Sequence, residues 1–146
     1  MSAPTSKGKQ ILEAMKTRWD AITTTGINYN YSYAGKVKVS PASPELEGVY
    51  INPADDAIDD FESSGTLQDI TMNVNVDIVS VNNNTDPFLV EVDILKSTGQ
   101  DITWGGLAYK TKHTGSVKQP VDQSGNLICS RRINLEVTYR KTAFNK

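Results

Sequence analysis

The stretch Ile70-Thr71-Met72-Asn73-Val74-Asn75-Val76-Asp77-Ile78 decides the fold class. Apolar side chains fill every second position, and Thr, Asn, Asn and Asp fill the positions between. That is the period of a strand with one face on a core and one face in water. The phase shifts at Val79-Ser80-Val81, which predicts a bulge or a strand leaving its sheet. A second alternation, Ile133, Leu135, Val137 and Tyr139 against Asn134, Glu136 and Thr138, predicts a strand over about 127–139.

Working outward, Ile11, Leu12, Met15, Trp19 and Ile22 recur at spacings of three and four. They predict a helix over about 6–25, with Thr5 or Ser6 as N-cap and Gly26 at the C-terminal end. Ile27, Tyr29, Tyr31 and Tyr33 alternate and are expected to form a strand with an aromatic face. Ala34-Gly35 reads as a turn, Val37 and Val39 as a second strand, and Val49-Tyr50-Ile51 as a third. Asn82-Asn83-Asn84-Thr85 reads as a turn. Asp86-Pro87 opens a second helix with Asp at the N-cap and Pro at N1. Its inward face is expected to be Phe88, Val92 and Leu95, and Gly99 ends it. A strand near 104–110 and a connection over 115–125 precede the final strand. The sum is an α+β fold, a mostly antiparallel β-sheet with two main α-helices packed on it.

A chain of 146 residues is expected to form a single domain, 1–146, with a flexible arm over 1–6. The single cysteine, Cys129, excludes an intrachain disulfide and suits a reducing compartment. Apolar runs stop at about three residues, far short of a membrane span, and the polar N-terminus lacks the apolar core of a signal peptide. A soluble protein of the cytoplasm is the expectation, with no membrane partner.

The net charge of −2 conceals a segregation. Residues 45–101 hold 13 carboxylates and a single cation, Lys96, while both flanks are basic. One acidic and one basic face would suit contacts between different surfaces. The densest acidic stretch, Asp55, Asp56, Asp59, Asp60 and Glu62 with Phe61 between, falls in 52–66. With so little to bury, 52–66 reads as a long surface loop that orders against a partner. Arg131, Arg132 and Arg140 are the basic counterparts, expected at contacts with another surface.

Catalytic chemistry asks for a base near neutrality, a nucleophile beside it, or a metal. The only histidine, His113, is expected in a polar loop among lysines. No Cys/His cluster offers a zinc site, and the paired aspartates lack the spacing and the glycine of a calcium loop. Tyr29, Tyr31 and Tyr33 beside Lys36 and Lys38 are a better core face than a base-stacking platform. Trp19 and Trp104 are expected as core anchors. No catalytic residue, metal or cofactor is assigned, and no enzyme is expected.

Two segments carry a resemblance. Asp101-Ile102-Thr103-Trp104-Gly105-Gly106-Leu107 follows a helix as Asp-x-Thr-hydrophobic-Gly-Gly-Leu. The last strand ends Leu135, Val137, Tyr139, Arg140. Together they resemble the tail-terminator (tail-completion) proteins of long-tailed, lambda-like bacteriophages. The resemblance implies a virion structural protein, a homo-hexameric ring at the head-proximal end of the tail. Such a ring ends polymerisation of the tail tube protein and docks a neck or head-completion protein. DNA passes through its lumen without sequence-specific binding. Another neck or head-completion ring protein, and a small ligand-binding α+β domain, are the alternative readings.

Overall fold

The alternating run lies at the centre of a five-stranded sheet. The structure, a computed structural model, describes residues 6–24, 29–39, 48–60, 67–81, 86–118 and 127–142. Along the chain come α1 (Lys7–Asp20), β1 (Val37–Val39), β2 (Gly48–Asp60), β3 (Leu67–Val81), α2 (Pro87–Thr98), β4 (Lys110–Lys118) and β5 (Leu127–Thr142). The sheet order is β1-β2-β3-β5-β4; β1 and β2 run parallel and every other neighbouring pair antiparallel. The fold is therefore α+β with a mostly antiparallel sheet.

The register of β3 on β5 sorts the two faces. Val74 sits opposite Leu135 and Val76 opposite Ile133, all buried under the helices. On the other face Asp69 faces Arg140, Thr71 faces Thr138, and Asp77 faces Arg132. The register shifts between Ile78 and Val79, where the sequence changes phase. β3 thus follows its pattern residue by residue.

Ser6 accepts the Lys9 N–H at 3.2 Å and caps α1, which buries Ile11, Leu12, Met15 and Trp19 against the sheet. Burying each such side chain is worth about 1.5–3 kcal/mol. Gly8 lies on the buried side of the first turn, where an added Cβ would come within 3.1 Å of the Tyr139 hydroxyl. α1 stops at Asp20, with Ala21 as its C-cap, and Gly26 lies outside the described residues. It stops because the next groups are engaged elsewhere. The Asp20 carboxylate accepts the Gly35 N–H at 2.7 Å, and the Ile22 carbonyl accepts the Tyr33 N–H at 3.0 Å.

Three sequence expectations are corrected. Residues 29–33 form no strand, because their polar groups turn to α2 instead of a ladder. The Asp93 carboxylate accepts the N–H and side-chain amide of Asn30, the N–H of Tyr31 and the hydroxyl of Tyr33, at 2.8–3.1 Å. Asp93 is wholly buried, and so is placed inward with Val90, Ile94, Ser97 and Thr98. That rotates Phe88 and Val92, two of the three residues expected inward, to 61% and 53% exposure, while Leu95 stays partly buried against the core.

The second correction concerns 52–66. Its first part is strand: β2 continues to Asp60, pairing Asp56 through Asp60 with Met72 through Gln68 after an irregularity between Pro53 and Asp56. Pro53 has no N–H, which suits a break in the ladder. Deleting this stretch would remove sheet, not a loop. The third correction is β4, which begins at Lys110 and runs to Lys118, into the expected connection. Trp104, Gly105 and Gly106 all have positive φ, a conformation no strand continues through.

Replacing Asp93 with alanine leaves several buried donors unpaired at once. We expect Asp93→Ala to lower unfolding free energy by about 3–5 kcal/mol in urea titrations. Amide exchange at Asn30 and Tyr31 should rise with it; an unchanged midpoint would show that these bonds do not hold the segment.

Candidate functional site

The Asp101 turn is built from its own side chains. One carboxylate oxygen of Asp101 accepts the Thr103 N–H at 2.9 Å and the Thr103 hydroxyl, and the other accepts the Gly105 N–H at 2.9 Å. Arg18 donates to the Asp101 carbonyl at 2.6 Å and pairs with its carboxylate at 3.3 Å. The Thr103 hydroxyl, then the Gly105 and Thr103 N–H groups, hold the Asp101 carboxyl down at about 2, with Arg18 adding to them against a small opposing desolvation. These are the bonds that turn the chain sharply enough for Trp104 to enter the core.

Trp104 meets Trp19 edge-to-face with ring centroids 5.8 Å apart, under the Arg18 guanidinium at 4.1 Å. Its indole N–H donates to the Thr111 hydroxyl at 2.6 Å, tying the turn to β4. Added Cβ atoms at Gly105 and Gly106 would meet nothing within 4 Å, so backbone conformation, not space, calls for glycine there. Leu107 packs partly buried on the core. Tyr109 then donates its N–H to the Thr138 carbonyl at 2.8 Å. The two tryptophans are core anchors, as their sequence context implies.

The three arginines are engaged within the chain. Arg131 pairs with Glu91 at 3.2 Å and covers the Phe88 ring at 4.4 Å. Arg132 pairs with Asp77 through two nitrogens, at 2.7 and 3.3 Å. Arg140 pairs with Asp69 at 3.0 Å and lies over Tyr109. With Arg18–Asp101, each of these four pairs joins the acidic segment 45–101 to a basic flank. Part of the charge segregation in the sequence is thus intramolecular complementarity. A charge reversal at Arg132 would strike the fold before any interface.

Asp55, Asp56, Asp59 and Asp60 all lie on β2, and Phe61 and Glu62 lie outside the described residues. His113 is not in a loop; it stands on β4 with its Nε2 2.9 Å from the Ser116 hydroxyl. Tyr33 is buried, and Tyr29 and Tyr31 pack against the core. Burial, followed by the bond to Asp93, pushes the Tyr33 hydroxyl far above its ordinary range. Among the described residues no group of His, Cys, Asp and Glu is placed to hold a metal ion. No described helix is long and apolar enough to cross a membrane.

Two surface features remain. Phe88, Leu89 and Val92 form an exposed apolar stripe on α2. The hollow between the ends of α1 and α2, about 500 Å³, is lined by Arg18, Ile22, Tyr29, Ser97, Gln100 and Asp101. There Arg18 and Asp101 bind one another. Sequence reasoning missed Asp93 and the stripe together. The signal for both was an aspartate set among Val90, Val92, Ile94 and Leu95.

The chain matches no model of a known protein family, and no curated protein matches it either.

The Asp101 carboxyl is depressed on folding, so it favours the fold above its unfolded value of about 4. That contribution is lost as pH falls from about 4 through about 2. We expect the melting-temperature gap between the natural chain and Asp101→Asn to be constant above pH 5 and to close over this window. A gap independent of pH would contradict the assigned bonds. For Arg132→Ala we expect a loss of about 2 kcal/mol in chemical denaturation, the scale of a charged two-point bond to a mostly buried partner.

Proposed function

We propose that the chain is a phage tail terminator, a subunit that assembles into a hexameric ring on the head-proximal end of a tail tube. The ring stops addition of tube protein, offers a docking face to a neck or head-completion protein, and leaves a lumen for DNA. The observation that carries the reading is the segment of resemblance itself. The Asp-x-Thr-Trp-Gly-Gly-Leu stretch is a self-capped turn whose tryptophan anchors α1, and from it the chain passes to β4 and the closing strand. Its residues hold architecture, as those of an assembly protein should.

The α2 stripe supports the same reading. An α-helix that keeps Phe88, Leu89 and Val92 in water while burying an aspartate is shaped for contact with another surface. Ring assembly also explains how a modest chain would serve two partners, since heterologous contacts leave two different ring faces.

The test is tail morphology. In the phage that encodes the chain, its loss should yield overlong tails or tails unjoined to heads. Finished tails beside leaky heads would instead identify a neck protein. We further expect Val92→Lys to keep the melting temperature within about 2 °C, since the residue is 53% exposed. It should nonetheless reproduce the loss phenotype. Normal tail lengths and normal joining in that variant would remove the stripe from the mechanism.

A further inference from the structure

The two edges of the sheet differ in charge and lie at the same level. β1 covers only Val49, Tyr50 and Ile51 of β2. From Asn52 to Asp60, β2 has β3 on one side and, among the described residues, no strand on the other. That edge carries Asp55, Asp56, Asp59 and Asp60. The opposite edge is β4, with Lys110, Lys112 and Lys118. Pro53 and Ala54 on one edge, and Lys110, Lys112 and His113 on the other, are exposed.

The registers can be followed straight across. Lys110 faces Thr138, Thr138 faces Thr71, and Thr71 faces Ala57. Lys112 faces Glu136, which faces Asn73, the residue beside the irregularity that holds Ala54 and Asp55. Reading the ladders across, β4 and β2 also run in opposite directions.

We infer that the ring is closed by β4 of one subunit lying antiparallel along residues 52–60 of β2 of the next copy, an inference that rests on the ring reading above. The occupant is a second copy because its charge is the complement. Two β2 edges would oppose aspartates to aspartates, and two β4 edges lysines to lysines. Only the unlike pairing removes both repulsions. It is also heterologous, the kind of contact that closes a ring by rotation. Pro53 and the irregularity after it interrupt the ladder, which keeps the contact short and dependent on side-chain charge.

The experiment places one thiol on each edge, Ala54→Cys with Lys112→Cys, in a Cys129→Ser background. Residues directly opposite on neighbouring strands have Cβ atoms about 5 Å apart, within reach of a short bis-maleimide. Across a concentration series we expect a ladder of covalent multimers from the double-cysteine chain and monomer alone from each single-cysteine chain. Circular dichroism confirms that each chain is folded.

A single-cysteine chain that couples to dimers would overturn the inference, because it reports like edges in contact. A double-cysteine chain that stays monomeric while negative-stain images show rings would overturn it too, and would leave the ring reading standing. Charge provides the second arm. Lys110→Glu with Lys112→Glu should weaken association at least about tenfold. Adding Asp59→Lys and Asp60→Lys to the same chain should restore it; association unmoved by the first pair counts against the edge contact. Tail length in the phage assay reports separately on the terminator reading.

Discussion

A single buried carboxylate fixes the relation between α2 and residues 29–33. Asp93 accepts hydrogen bonds from Asn30, Tyr31 and Tyr33, so 29–33 is held against α2 although no ladder pairs it. Burying such a group without partners would be expensive; burying it with them makes the rotation of α2 all but compulsory. From that rotation follow the inward Val90 and Ile94 and the outward Phe88, Leu89 and Val92. Position 93 therefore sets a surface that it does not touch.

Charge works on two scales. Within the chain, Asp69–Arg140 and Asp77–Arg132 lie across β3 and β5, Glu91–Arg131 clips α2 to β5, and Asp101–Arg18 clips the 101–107 turn to α1. Partly exposed pairs of this kind contribute modestly to stability, but they select one register over its neighbours. Beyond these pairs the sequence is polarised across the sheet, with aspartates along β2 and lysines along β4.

How much of this was legible in the sequence depends on which force governed each element. β3 and β5 were legible because burial on one face imposes a strict period. The Asp86 cap, the Gly99 stop and the Trp19 and Trp104 anchors were legible for similarly local reasons. Residues 29–33 were misread because a carboxylate 60 or more positions away outweighs their alternation. The stretch 53–60 was misread because its acids suggest a solvated loop, whereas a strand at a sheet edge tolerates them. The ion pairs of Arg131, Arg132 and Arg140 needed the register of β5, which composition alone does not supply. Phe61 and Glu62 of the acidic stretch fall outside the described residues.

The position of β5 has a kinetic consequence. It is the last described element of the chain, yet it lies between β3 and β4 in the interior of the sheet. Its partners on β3 are 46–75 positions upstream. Loops of that size must close before their contacts form, which places the molecule among slow-folding, high-contact-order topologies. On the ribosome, the β3 edge that β5 pairs with stays open until β5 emerges. A chain truncated before Ile133 would present an unsatisfied sheet edge to any neighbour able to pair with it.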